Sequence, residues 1–230
     1  MNPPVAMSTT FALLPLIILS ASGIALLLLE VFGTGERREH LGYLAIAGAI
    51  AAGIAMVGVG VSAGAGATFF GGALVVDRFA SFVGVGVIVF LVFAVLLSVD
   101  YLREHQIARG EYYALLFFSA AGMLVVATAG DFIVLFLGIE LLSLSIYVLA
   151  GYWRSTDLSV EASIKYFLLG SFASAILLFG IVLIWGEAGT LSFAALKSAA
   201  GGAVWQNTAF VVGVLLVLGG IAFKVAAVPF

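Results

Sequence analysis

FIVLFLGIELLSLSIYVLAGY, residues 132–152, decides the architecture. One charge, Glu140, interrupts an otherwise apolar run. A helix crossing a hydrocarbon core of ~30 Å needs about 20 mostly apolar residues, and this stretch has them. Working outward, the same reading applies to Phe11–Phe32, Leu41–Val61, Phe79–Val99, Tyr112–Ala129, Ala162–Trp185 and Thr208–Phe230. With Phe132–Gly151 these make seven spans. The runs are continuous and rich in Leu, Ala, Val and Gly, whereas a barrel would alternate in segments of ~10 residues. The expected fold is an all-α, polytopic transmembrane helix bundle.

Composition agrees. Of 230 residues, 64% are hydrophobic and 9% charged, against roughly a quarter charged in a soluble domain. Nine basic and twelve acidic side chains do not cover a water-soluble surface of this size. A soluble enzyme, a disordered chain and a nucleic-acid binder are excluded, and the net charge of -3 offers no polyphosphate footprint. There are no cysteines, hence no disulfide framework, iron–sulfur cluster or thiolate zinc site. His40 and His105 stand alone in charged loops, which makes no metal site. The surrounding partner is the lipid bilayer.

MNPPVAMSTT at the start carries no Lys or Arg, so it lacks the basic region of a signal peptide and the first span is expected to be retained. Loop charges set orientation. Arg37, Arg38, Arg103, Arg109 and Arg154 follow odd-numbered spans, while Arg78 and Lys197 do not. The positive-inside rule then puts the N-terminus outside. Trp153, Trp185 and Trp205 fall at span ends, as in an aromatic belt. The Gly-rich run 58–72, GVGVSAGAGATFFGG, lacks the Lys-Ser/Thr of a phosphate loop and reads as close packing or a flexible connection. Phe230 directly follows Pro229 inside an apolar run, which suggests the N-terminal piece of a longer protein, cut within the seventh span.

Ionisable groups within a membrane are expensive and face a bundle interior or a water path. Glu140 lies about eight residues into its span, roughly 12 Å deep at 1.5 Å per residue, beyond comfortable snorkelling. It is either a neutral carboxyl bonded to a neighbouring helix, or a proton-pathway group or the partner of a buried Lys. Lys224, in VLLVLGGIAFKVAAVPF, is little more than a turn before Pro229. Snorkelling is the plain account. However, proline breaks a helix, and broken helices in membranes persist only where protein or water satisfies the freed groups. Burial disfavours a charged lysine and a nearby carboxylate favours it, which is the chemistry of a reversible proton carrier. Lys165 has a simpler partner in Glu161, four residues earlier, with Ser159 as a possible helix cap. Ser163, Ser171 and Ser174 give that span a partly polar character. Glu30 and Asp131 sit at span ends, where interfacial solvation explains them.

FLGIELLSLSIYVLAGY, then SVEASIKYFLLGSFASAILLFGI, then GIAFKVAAVPF, resemble the antiporter-like membrane subunits of respiratory complex I. The GIELLSLSIYVL version resembles the subunit N family of NADH-quinone oxidoreductase, over its N-terminal half. The resemblance is specific over about 131–230 and weaker over 1–130. It implies a fold of about fourteen helices with inverted repeats, of which about seven spans are here: 1–110 holding the first three and 111–230 an incomplete first antiporter-like repeat. It implies that Glu140 pairs with Lys224 and that Lys165 is a further proton-translocating residue. The family continues with a His and a Trp-Pro-Asp segment, which this chain stops before.

The implied function is proton translocation within a bacterial inner-membrane NADH-quinone oxidoreductase, with other membrane subunits as partners. No cofactor is expected in this chain. NAD, FMN, iron–sulfur clusters and quinone would belong to other subunits. Two alternatives stand beside it: a subunit of a cation/proton antiporter or membrane-bound hydrogenase, and a structural subunit whose buried charges fix helix register.

Overall fold

A computed structural model of the chain describes residues 8–33, 40–63, 66–105, 107, 109–199 and 203–228. The Arg37, Arg38 and Pro229 discussed above lie outside the described residues. The helices are α1 (Thr9–Phe32), α2 (Leu41–Ser62), α3 (Arg78–Glu104), α4 (Gly110–Ala127), α5 (Phe132–Ala150), α6 (Asp157–Ala188), the short α7 (Phe193–Ala199) and α8 (Thr208–Lys224). Six of them are long and apolar enough to cross a membrane, and α8 is a shorter apolar helix of 17 residues.

Side-chain caps fix several starts. The Asp77 carboxylate accepts from the Ala80 amide at 2.7 Å and Asp131 from Val134 at 2.7 Å, while the Asn207 side chain accepts from Ala209 at 2.9 Å. Each satisfies an amide that the first helical turn leaves open. Asp131 thus does more than sit in the interface. Glu30 departs further from expectation. It is buried, 6% exposed, and its carboxylate accepts from the Gly110 amide at 2.9 Å. Packing against the start of α4, and not interfacial solvation, accounts for it. Ser159 does not cap α6 either; its hydroxyl donates to the Ala150 carbonyl at 2.8 Å, tying α6 to the end of α5.

Helices α1 to α4 share one core, with Leu19 and Leu26, Ala45 and Ala49, Ile88, Leu91 and Val95, and Phe117 and Leu124 interleaved. A second core joins α5, α6 and α8 through Ile139, Leu177, Ile181, Ile184, Phe210 and Val217. Small residues draw backbones together where no hydrophobic force acts between helices. A Cβ on Gly180 of α6 would lie 2.6 Å from the Gly213 carbonyl oxygen of α8, so these two helices touch main chain to main chain.

The described part of the Gly-rich stretch holds regular structure. Its first part finishes α2, and beyond it β1 (Ala67–Phe69) pairs antiparallel with β2 (Leu74–Val76). This hairpin is fastened to two other corners by main-chain bonds. The Val75 amide donates to the Thr128 carbonyl and the Gly130 amide to the Ala73 carbonyl, both at 2.8 Å. The Phe193 amide donates to the Gly130 carbonyl at 3.0 Å, and Phe132 to Leu191 at 3.2 Å. The α2–α3, α4–α5 and α6–α7 connections therefore form one knot at one end of the bundle. Helix α7 itself lies where the sequence suggested only a loop around Lys197.

Helix α8 stops at Lys224. Ala226 has φ 52, a left-handed conformation. Its amide donates to the Phe223 carbonyl at 3.1 Å and the Ala227 amide to Ala222 at 2.9 Å. That paired closure is a Schellman cap.

Candidate functional site

Glu140, Ser143 and Tyr147 are spaced three and seven residues apart, so α5 presents them on one face. Helix α6 brings Gly170 and Ser174, one turn apart, against that face. Helix α8 brings Lys224 in its last turn, where the helix dipole favours a cation.

These residues form one connected polar cluster. The Lys224 ammonium donates to the Tyr147 phenol oxygen at 2.8 Å and to the Ser143 hydroxyl at 3.1 Å. It lies 3.8 Å from the nearer Glu140 oxygen and 5.4 Å from the centre of the Tyr147 ring. Ser174 donates to that same Glu140 oxygen. Ser143, Tyr147 and Ser174 are buried, and the side chains of Lys224 and Glu140 are only 13% and 25% exposed.

Tyr147 is held from several sides. Its ring packs edge-on against Tyr166 with centroids 4.8 Å apart, and Phe167 lies at 6.0 Å. The Ser163 hydroxyl donates to its carbonyl at 3.1 Å. Gly170 leaves room for its phenol: a Cβ there would fall 1.9 Å from the hydroxyl oxygen. Glycine at that position is a steric requirement of the site.

The arrangement suits reversible protonation. An ammonium donates three protons, a carboxylate only accepts, and a hydroxyl does either. The two hydroxyls thus partner lysine in its charged and its neutral form. A buried carboxylate and ammonium also offset one another's desolvation, which is the condition for charge at this depth.

Of the three residues singled out in the sequence, Glu140 and Lys224 come together and Lys165 does not join them. Lys165 pairs with Glu161 on the same helix, and these side chains are 68% and 57% exposed. Sequence reasoning missed Ser143 and Tyr147, although their spacing from Glu140 on one helical face was the available signal. A groove of about 830 Å³ lies elsewhere, between the hairpin, α3, α4, α5 and the start of α7. It is lined by Val83, Val87, Met123 and Leu142, with Asp77 at its edge already engaged in capping α3. Among the described residues there is no cluster of acidic and His side chains fit to hold a metal.

The fold is that of antiporter-like membrane subunits. Residues 129–230 match the family described as NADH:quinone oxidoreductase/Mrp antiporter, transmembrane. Over 94% of its length the chain is 42% identical to NADH-quinone oxidoreductase subunit N of Paramagnetospirillum magneticum, covering 45% of that protein. It is 40% identical to the subunit N of Myxococcus xanthus over 99% of the chain and 44% of the relative. The chain thus spans a little under half the length of the curated relatives it matches. Among solved structures, respiratory complex I from Thermus thermophilus with bound aureothin contains a chain that is 28% identical at TM-score 0.74, with 94% of this chain and 45% of that one covered. The Mrp complex from Dietzia sp. DQ12-45-1b contains one with the same fold, at 23% identity and TM-score 0.77, covering 96% of this chain and 42% of that one.

Proposed function

We propose that this chain is part of a proton-translocating membrane subunit of a bacterial NADH-quinone oxidoreductase, and that Glu140 and Lys224 form one of its proton-carrying stations. The observation that carries this reading is an ammonium 3.8 Å from a carboxylate, held with three hydroxyls between otherwise largely apolar helices. Redox chemistry would belong to other subunits of the complex. Coupling would then be electrostatic: a change in one buried charge alters the preferred protonation of the next. The proposal includes an inner-membrane location with the N-terminus outside, and other membrane subunits as partners. It also keeps residues 111–230 as part of a first antiporter-like repeat after the three N-terminal spans.

Lys165 has a place in this proposal, but a weaker one. Its exposed pairing with Glu161, at a spacing common on helix surfaces, favours a role at the bundle surface.

The test uses the full-length protein in assembled complex. Glu140→Gln and Lys224→Ala should each impair proton pumping and coupled quinone reductase activity, and Glu140→Asp should be milder. The double variant should cost less than the sum of the singles, because residues in one network are not additive. Lys165→Ala should impair pumping less than Lys224→Ala. Wild-type pumping in both Glu140→Gln and Lys224→Ala would reduce the pair to a structural contact.

A further inference from the structure

We propose that Tyr147, assisted by Ser143, is a positioning residue that holds the Lys224 ammonium back from contact with Glu140, so that the pair rests open. The inference rests on the proton-carrying reading of that pair.

A closed contact between an ammonium and a carboxylate brings nitrogen and oxygen to about 2.7–2.9 Å. Here they are 3.8 Å apart. The missing ångström has a visible cause. Two of the ammonium's donors are engaged by the Tyr147 phenol at 2.8 Å and the Ser143 hydroxyl at 3.1 Å, both on α5. The Tyr147 ring adds attraction from its face, with the nitrogen 5.4 Å from the centroid. Ser174 donates to the Glu140 oxygen that is nearest the lysine. Hydroxyls thus engage both members of the pair while nitrogen and oxygen stay short of contact.

The phenol is able to hold because it is itself held. Tyr166 and Phe167 flank its ring, Ser163 ties its carbonyl, and the absent side chain of Gly170 gives its hydroxyl a seat. An open pair matters for a carrier that must cycle. In a low-dielectric setting a contact pair binds strongly, and the lysine proton is trapped with it. A hydroxyl accepts from the charged lysine and donates to the neutral one, so it keeps a partner in place through both states.

Tyr147→Phe in the full-length protein tests this, because it keeps the ring and its packing and removes only the phenol oxygen. With the restraint gone, Lys224 should close on Glu140 and turnover per assembled complex should fall roughly tenfold, the size of one hydrogen bond to a charged group. Adding Glu140→Asp draws the carboxylate back by one methylene and reopens the gap. The double variant should therefore turn over severalfold faster than Tyr147→Phe alone. A merely structural tyrosine would show no such rescue, since two defects would accumulate. Wild-type turnover in Tyr147→Phe, or a double variant no faster than Tyr147→Phe, overturns the proposal. Should Tyr147→Phe fail to assemble, Ser143→Ala carries the same test, with a smaller loss and the same rescue by Glu140→Asp expected; absence of either overturns it. Lys224→Ala, measured alongside, separates the two levels. Normal pumping in Lys224→Ala sinks the pair itself as a proton carrier. Impaired pumping there, with Tyr147→Phe unaffected, sinks only the restraint.

Discussion

Tyr152, just past the end of α5, carries a buried hydroxyl with no hydrogen-bond partner among the described residues. Burial pushes its phenol up to about 12, the nearby Glu111 carboxylate adds to the rise, and Arg109 opposes it. An unfolded tyrosine ionises near 10.0, so its contribution to stability is whole below that pH and drains away as pH climbs toward about 12. Tyr152→Phe should flatten this alkaline loss in thermal melts of the assembled complex. At neutral pH it should cost nothing or stabilise by up to about 1 kcal/mol, because it removes a polar atom that makes no bond. Glu30 predicts the opposite sign. Glu30→Ala strands the Gly110 amide and should destabilise by about 1–3 kcal/mol in the same melts. Neither environment was legible beforehand. A charge at a span end is solvated in most bundles, and only the approach of α4, eighty residues later in the chain, buries Glu30.

At the scale of helices the sequence was most informative. Six of the seven expected spans lie where continuous apolar runs placed them, because a helix in lipid must satisfy its main chain internally and must be long enough to cross, while the seventh starts at Thr208 as expected but ends short, at Lys224. The ends were less legible, and α8 shows why. Proline at 229 marked a break, but the helix closes earlier, at Lys224, through main-chain bonds around left-handed Ala226. Alanine gives no warning of that conformation, and glycine would have. Ala226→Gly should therefore stabilise the cap by about 1 kcal/mol, read as a raised melting temperature with unchanged pumping. The polar cluster was half legible for a related reason. Charges in apolar runs stand out, whereas a serine or tyrosine in the same run is ordinary until three helices meet. The hairpin and α7 escaped notice because three-residue strands and a seven-residue helix leave little periodic signal.

For the whole molecule, orientation is the first matter to settle. In the proposed orientation, Arg103 in the last turn of α3 and Arg154 in the α5–α6 loop would face the cytoplasm, as the positive-inside rule predicts. The chain has no cysteine, so single cysteines placed at these two positions report without background. Both should resist a membrane-impermeant thiol reagent applied from outside, and labelling of either would invert the assignment. The knot of three connections has a mechanical meaning that does not depend on sidedness. Hydrogen bonds fasten α3, α4, α5 and α6 together at the hairpin end, while the opposite ends of α5 and α6 meet through single serine hydroxyls. The bundle resembles a fan with its rivet at one end. Glu140 lies about eight residues from that rivet, a lever arm of roughly 12 Å. Swinging α5 by about 5° would carry its carboxylate through roughly 1 Å, the whole distance between an open and a closed pair, with the rivet undisturbed.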